Sequence, residues 1–198
     1  MNSKWARSRR LLLRELHAEA HVSAYVRELG WKVHEVRRPY PGEEEYRVIW
    51  AANPQLMLHY IEDEVAERSF VFIIGADAEL VSGSESVFER RLNAVTLDEL
   101  IDEVDSASSL EQLSEALLRA GVGAPREFDE RFFSRIINAL SHPSSEVREG
   151  ALWAVTYSPW SQYRERVLDI SRSDPEEELR EMANIVAEEF AEQERGEQ

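Results

Sequence analysis

His17 and His21 stand four residues apart in a stretch with helix-like apolar spacing, an arrangement that can turn two imidazoles toward one metal ion. The order is His-Ala-Glu-Ala-His, whereas a metalloprotease-type helix needs the glutamate directly after the first ligand. Glu19 is therefore out of place, and no third ligand is signalled. His34, His59 and His142 stand singly. A metal site also needs convergent ligands and a second shell that orients them, so no metal is expected. Carboxylates are abundant, but they come in runs such as Glu43, Glu44, Glu45 and Glu62, Asp63, Glu64, the pattern of solvated turns. General acid–base chemistry calls for isolated carboxylates in a desolvated cleft. There is no cysteine, no Gly-x-Ser-x-Gly elbow, no P-loop, no Gly-x-Gly-x-x-Gly, and no serine with a recognisable base. No catalytic residue and no cofactor is predicted.

The densest group of chemically distinctive side chains is Trp153, Tyr157, Trp160 and Tyr163, set around the turn Thr156-Tyr-Ser-Pro-Trp160 with Arg164 and Arg166 beside it. Tryptophan, tyrosine and arginine are over-represented at interface hot spots, which makes Trp153, Tyr157, Trp160, Tyr163 and Arg164 candidates for partner binding. The competing expectation is internal: Trp153 and Tyr157 at i,i+4 cement a helix pair, and Pro159 fixes the turn.

The elements that must position these residues follow from periodicity. Residues 5–29 carry Trp5, Leu12, Leu16, Val22, Val26 and Leu29 at helical spacing with Gly30 next, which predicts an N-terminal amphipathic helix. Four strands then follow at 31–37, 45–51, 55–63 and 65–75, with Pro39-Tyr-Pro-Gly42 as the first turn and Gly75 as the last stop. Asn53-Pro54 also makes a good N-cap and first turn, so a helix over 54–67 competes with the third strand; the strand is favoured. After Asp77 the segment Ser84–Leu92 predicts a short helix. Thr96 with Glu99 opens another, Ser109 a third, and the remainder is helical with short turns. The expected fold class is α+β: a helix and a small four-strand antiparallel meander in residues 1–95, then an all-helical region in residues 96–198.

Lys and Arg number 23 against 39 Asp and Glu, a net charge of −16. Such a surface opposes general nucleic-acid binding, which relies on basic residues to displace counterions, and suits a basic protein partner. Residues 1–14 are the exception, with Lys4, Arg7, Arg9, Arg10 and Arg14 and no acid. The longest apolar runs are far shorter than the ~20 residues a membrane helix needs, so no membrane contact is expected, and the absence of cysteine fits the cytoplasm.

The end of the chain aligns on itself. Pro143, Val147, Arg148 and Ala151 match Pro175, Leu179, Arg180 and Ala183 at a constant offset, 175 − 143 = 32. A period of this length predicts stacked helix pairs. The pattern of proline turn, branched apolar residue, arginine and alanine resembles the HEAT-repeat family. The resemblance covers residues 127–192 as pairs at 127–157 and 160–192, with 97–120 as a degenerate first pair. Two positions depart from the family pattern: Ser141-His142-Pro143 replaces an Asp-Pro turn, and Leu179 replaces valine. The resemblance implies that Arg148 braces the Asp174 turn of the next pair, and that Arg180 has no following pair to serve. It also implies a protein-binding adaptor or scaffold. An acidic inhibitor or immunity-type protein acting on a basic partner is the second expectation, and a HEAT-like bilin lyase or isomerase, with a tetrapyrrole against Trp153 or Trp160, the third.

Overall fold

The computed structural model describes residues 5–37 and 45–196. The Pro39–Gly42 turn and the Glu43 to Glu45 run lie at or outside the edge of those residues. The chain divides into two compact units, Met1–Thr96 and Leu97–Gln198.

The first unit is built on an antiparallel sheet of six strands. Strands β3 (Lys32–Arg37), β4 (Glu45–Asn53), β5 (Leu56–Asp63) and β6 (Arg68–Gly75) form the expected meander. Asn53-Pro54 is a hairpin turn and not a helix start: the Asn53 side chain accepts from the Gln55 amide at 2.8 Å, which closes the chain on itself before β5 begins. The N-terminal helix over 5–29 is corrected. Only Glu19–Glu28 is helical (α1), while Ala6–Arg7 (β1) and Leu11–Leu12 (β2) pair with β6. Leu11, Leu12 and Leu13 are consecutive and all buried, which a one-sided helix cannot achieve, and the open edge of β6 supplies the hydrogen bonds that a strand needs. Ser8 donates its amide to Ile73 and accepts the Ile73 amide on its hydroxyl, both at 2.9 Å. The helix stop does fall at Gly30. At φ +73°, Gly30 donates to Arg27 while Trp31 donates to Val26, the paired bonds of a Schellman ending that a left-handed glycine permits.

On one face of the sheet, Val48, Trp50, Leu58, Tyr60, Val71 and Ile73 form a single buried cluster with Val22, Tyr25 and Val26 of α1 and Val81 and Phe88 of α2 (Ala78–Arg91). The period-two alternation of the strands puts these residues together, and Tyr25 meets Phe88 edge to face at 5.3 Å. Arg9, only 5 % exposed, ties the N-terminal segment to α2 through Glu85 and Glu89.

Among the described residues the second unit has six α-helices in three hairpins: α3 (Leu97–Ser106) with α4 (Leu110–Gly123), α5 (Glu130–Ala139) with α6 (Ser145–Tyr157), and α7 (Arg164–Ser173) with α8 (Glu177–Gly196). Side-chain caps open α4 and α5, Ser109 accepting from the Gln112 amide at 3.2 Å and Asp129 from the Arg131 amide at 2.8 Å. The second helices form a row, α6 lying between α4 and α8. Helices α4 and α6 run parallel, since Ser114 faces Gly150 and Gly121 faces Ala154. Their approach is close: a Cβ on Gly121 would sit 2.3 Å from the Ala154 Cα, and Ser114 donates its hydroxyl to the Glu146 carbonyl at 2.8 Å. The small residues in these helices therefore set the spacing of the row.

Candidate functional site

Helices α6 and α8 each begin at a proline turn, and the two turns share one plan at the 32-residue offset. In the first, the Arg148 Nη1 donates to the carbonyls of His142 and Pro143 at 2.9 and 3.0 Å. In the second, the Arg180 Nη1 donates to the carbonyls of Asp174 and Pro175 at 2.6 and 3.0 Å. Each arginine sits in the first turn of its helix and folds back to satisfy the loop that leads in, so each turn has its own lock.

The cap positions are also equivalent but differ in chemistry. The Asp174 carboxylate accepts from the Glu176 amide at 3.0 Å, and the His142 Nδ1 accepts from the Ser144 amide at 3.1 Å. An imidazole thus stands where the next turn has a carboxylate, and it must present its Nδ1 lone pair. In the sequence His142 stands alone; its alignment with Asp174 at the 32-residue offset is the signal for this role.

What separates the turns is the outer edge of each guanidinium. The Arg148 Nε and Nη2 donate to the two oxygens of Asp174 at 2.7 and 2.8 Å, a bidentate fork joining the second hairpin to the third. Both side chains are enclosed, 9 and 3 % exposed. Burial pushes the Asp174 carboxyl up, but the Arg148 hydrogen bonds, the Glu176 amide and the charges of Arg148 and Arg166 together hold it below its ordinary value. Arg180 has no carboxylate on its corresponding edge among the described residues. Beside the joint lies an open polar cleft of about 210 Å³, lined by Ser141, His142, Arg166, Ser173 and the Arg148–Asp174 pair. Arg166, which the sequence placed only as a neighbour of the aromatic group, donates its Nη2 to the Leu140 carbonyl at 2.9 Å.

The aromatic candidates part company. Tyr163 is wholly buried and Trp160 is 9 % exposed. They stack on each other at 5.8 Å, while Trp160 meets Phe128 at 5.4 Å and Tyr163 meets Phe133 at 5.1 Å. The Trp160 indole donates to the Arg126 carbonyl at 3.3 Å. Their expected place in a partner-binding surface is therefore corrected: both rings are used within the unit, joining the connection between α6 and α7 to α5 and to the segment that leads into it. Phe128 and Phe133 are the partners that the sequence left unassigned. Trp153, Tyr157 and Arg164 remain half-buried. The histidine pair is not brought together on a helix either, because His17 lies in the turn before α1 and contacts Glu62 at 3.0 Å, whereas His21 is on α1.

In the first unit, His59 stacks on Phe72 at 4.7 Å. Burial lowers its pKa to about 4, with the charges of Arg47, Arg7 and His34 acting in the same direction, so it is neutral at physiological pH.

Among the described residues no helix is long and apolar enough to cross a membrane. Comparison of the chain with family models, with curated proteins and with solved structures found no match.

Proposed function

We propose that the chain is a protein-interaction adaptor or scaffold of HEAT-like type, in which the helical unit is the binding element. The observation that carries this reading is the joint between the second and third hairpins. A buried bidentate ion pair at matched turns fixes the angle between successive hairpins, and a row of helices held at fixed angles presents an extended, preorganised surface. The resemblance of the 32-residue pattern to that family supports the same reading, since most such proteins bind other proteins. Purification of the tagged chain from its native cell, with Arg148→Ala as control, is expected to recover a partner in fixed stoichiometry that the variant holds more weakly. Failure to recover any stoichiometric partner at low ionic strength counts against the reading.

A second reading, an acidic inhibitor of a basic protein, is favoured by α8, where Glu177, Glu178, Glu181, Glu188, Glu189 and Glu192 are all exposed. Acidic surfaces accelerate and select association with basic partners. Its signature is an association rate that falls steeply with salt; a rate insensitive to salt removes its basis.

A further inference from the structure

We infer that the outer face of α8 docks a helix of a partner protein through an aspartate-capped turn, with Arg180 as the receptor for the aspartate and the exposed glutamates as receptors for flanking lysines or arginines. This rests on the adaptor reading above and gives it a site and a partner chemistry.

The molecule holds its own template for such a contact. Arg148 is anchored by its Nη1 to two turn carbonyls, and that anchoring directs its Nε and Nη2 at the Asp174 carboxylate of the next hairpin. Arg180 is anchored to the two equivalent carbonyls by the same atom, so its fork is aimed in the equivalent direction, beyond α8. A guanidinium fork fits a carboxylate in two parallel hydrogen bonds, which selects aspartate over asparagine and distinguishes arginine from lysine. Further along α8, Ile185 is 62 % exposed, the most exposed large apolar side chain of the helical unit. It offers an apolar contact on the exposed surface of α8. The exposed glutamates 178, 181, 188 and 189 surround it. A symmetric contact with a second copy of this chain is disfavoured, because it would bring another such acidic helix against this one. A helix that enters through Asp-Pro and carries basic residues complements all three features.

The test uses a stapled helical peptide beginning Ser-Asp-Pro, with lysines on one face and one leucine between them, titrated by fluorescence anisotropy against the 198-residue chain. Binding is expected, weakened about tenfold or more by Arg180→Ala, by Arg180→Lys, and by asparagine in place of the peptide aspartate, with no further loss when variant and altered peptide are combined. Arg180→Lys retains the charge and is a check on folding, its circular dichroism and urea midpoint staying near those of the parent. Equal binding of all peptides by all variants would show attraction by the glutamates alone, and absence of binding would show no docking face; either overturns the inference. Arg180-dependent dimerisation in sedimentation would also overturn it, in favour of a second copy. If a partner recovered from the native cell binds Arg180→Ala as tightly as the parent, this site is wrong while the adaptor reading stands; if no partner is recovered, the adaptor reading itself fails.

Discussion

Each unit holds a buried arginine that ties distant segments together, yet their carboxylate partners respond in opposite directions. In the strand unit Arg9 serves two acids of α2, and the Glu85 carboxyl is pushed up. Burial is the main cause and Glu89 adds to it, while the Arg9 amide and charge oppose it. In the helical unit Arg148 serves one acid, and Asp174 is pulled down despite its burial. Burial alone does not decide the sign. A fork that meets both oxygens, with a backbone amide added, outweighs desolvation, whereas one guanidinium divided between two carboxylates does not.

The largest effect is expected at Arg148. Arg148→Ala leaves Asp174 enclosed without its counter-charge, and an expected loss of about 3 kcal/mol follows from the cost of orphaning a buried ion. Urea denaturation followed by far-UV circular dichroism measures it; a loss under about 1 kcal/mol would mean that solvent in the adjoining cleft takes over the role of Arg148.

A glycine-to-alanine substitution should change sign between the units. Gly121→Ala places a methyl against the Ala154 backbone and is expected to cost about 2 kcal/mol by forcing α4 and α6 apart. Gly83 in α2 has open space at its Cβ position, so Gly83→Ala should stabilise by about 0.5–1 kcal/mol. Thermal midpoints of the two variants moving in the same direction would contradict the helix spacing described above.

Acidification separates the units by pH window. The folded pKa of His59 is depressed, so its contribution is complete above its ordinary 6.5 and is lost as pH falls toward about 4. The contribution of Asp174, also depressed, is complete above the ordinary carboxylate range of about 4 and is lost only below it. Glu85 is raised and has the reverse sign, favouring the fold as it takes up a proton. His59→Phe, which retains an aromatic stack on Phe72, should flatten the upper window and leave the lower one; a pH profile of urea midpoints unchanged by His59→Phe would refute the assignment.

The smallest effect concerns the cap that differs between turns. His142→Ala removes one acceptor for the Ser144 amide and should cost about 1 kcal/mol, the usual value of a helix cap. His142→Asp should restore it without further gain, since position 116, one period before Arg148, is alanine and offers no fork. A gain matching the Arg148 loss would show that another arginine reaches this turn.

Much of this was legible in the sequence, and the reason is distance along the chain. The four meander strands, the Gly30 stop and the helical hairpins depend on neighbours within a few tens of residues, and the equivalence of Arg148 and Arg180 is written at a fixed offset. The N-terminal segment departs from the expected helix because its helical spacing is local, whereas its partner, β6, lies far ahead; the three adjacent leucines are the clue that both faces are covered. Trp160 and Tyr163 carry an interface-like composition, but composition does not reveal that Phe128 and Phe133 pack against them. The two guanidinium forks could be located from the repeat, while the imidazole cap at His142 needed the geometry of its Nδ1.

Asp174 is held by its carboxylate from Arg148 and by its carbonyl from Arg180. Two double-mutant cycles in urea test it most directly, Arg148→Ala with Asp174→Ala and Arg180→Ala with Asp174→Ala. The first pair should show a coupling of about 2 kcal/mol or more, because both changes remove one buried ion pair. The second should show coupling within about 0.5 kcal/mol of zero, since alanine at 174 retains the carbonyl that Arg180 uses. Equal couplings in the two cycles would contradict the account.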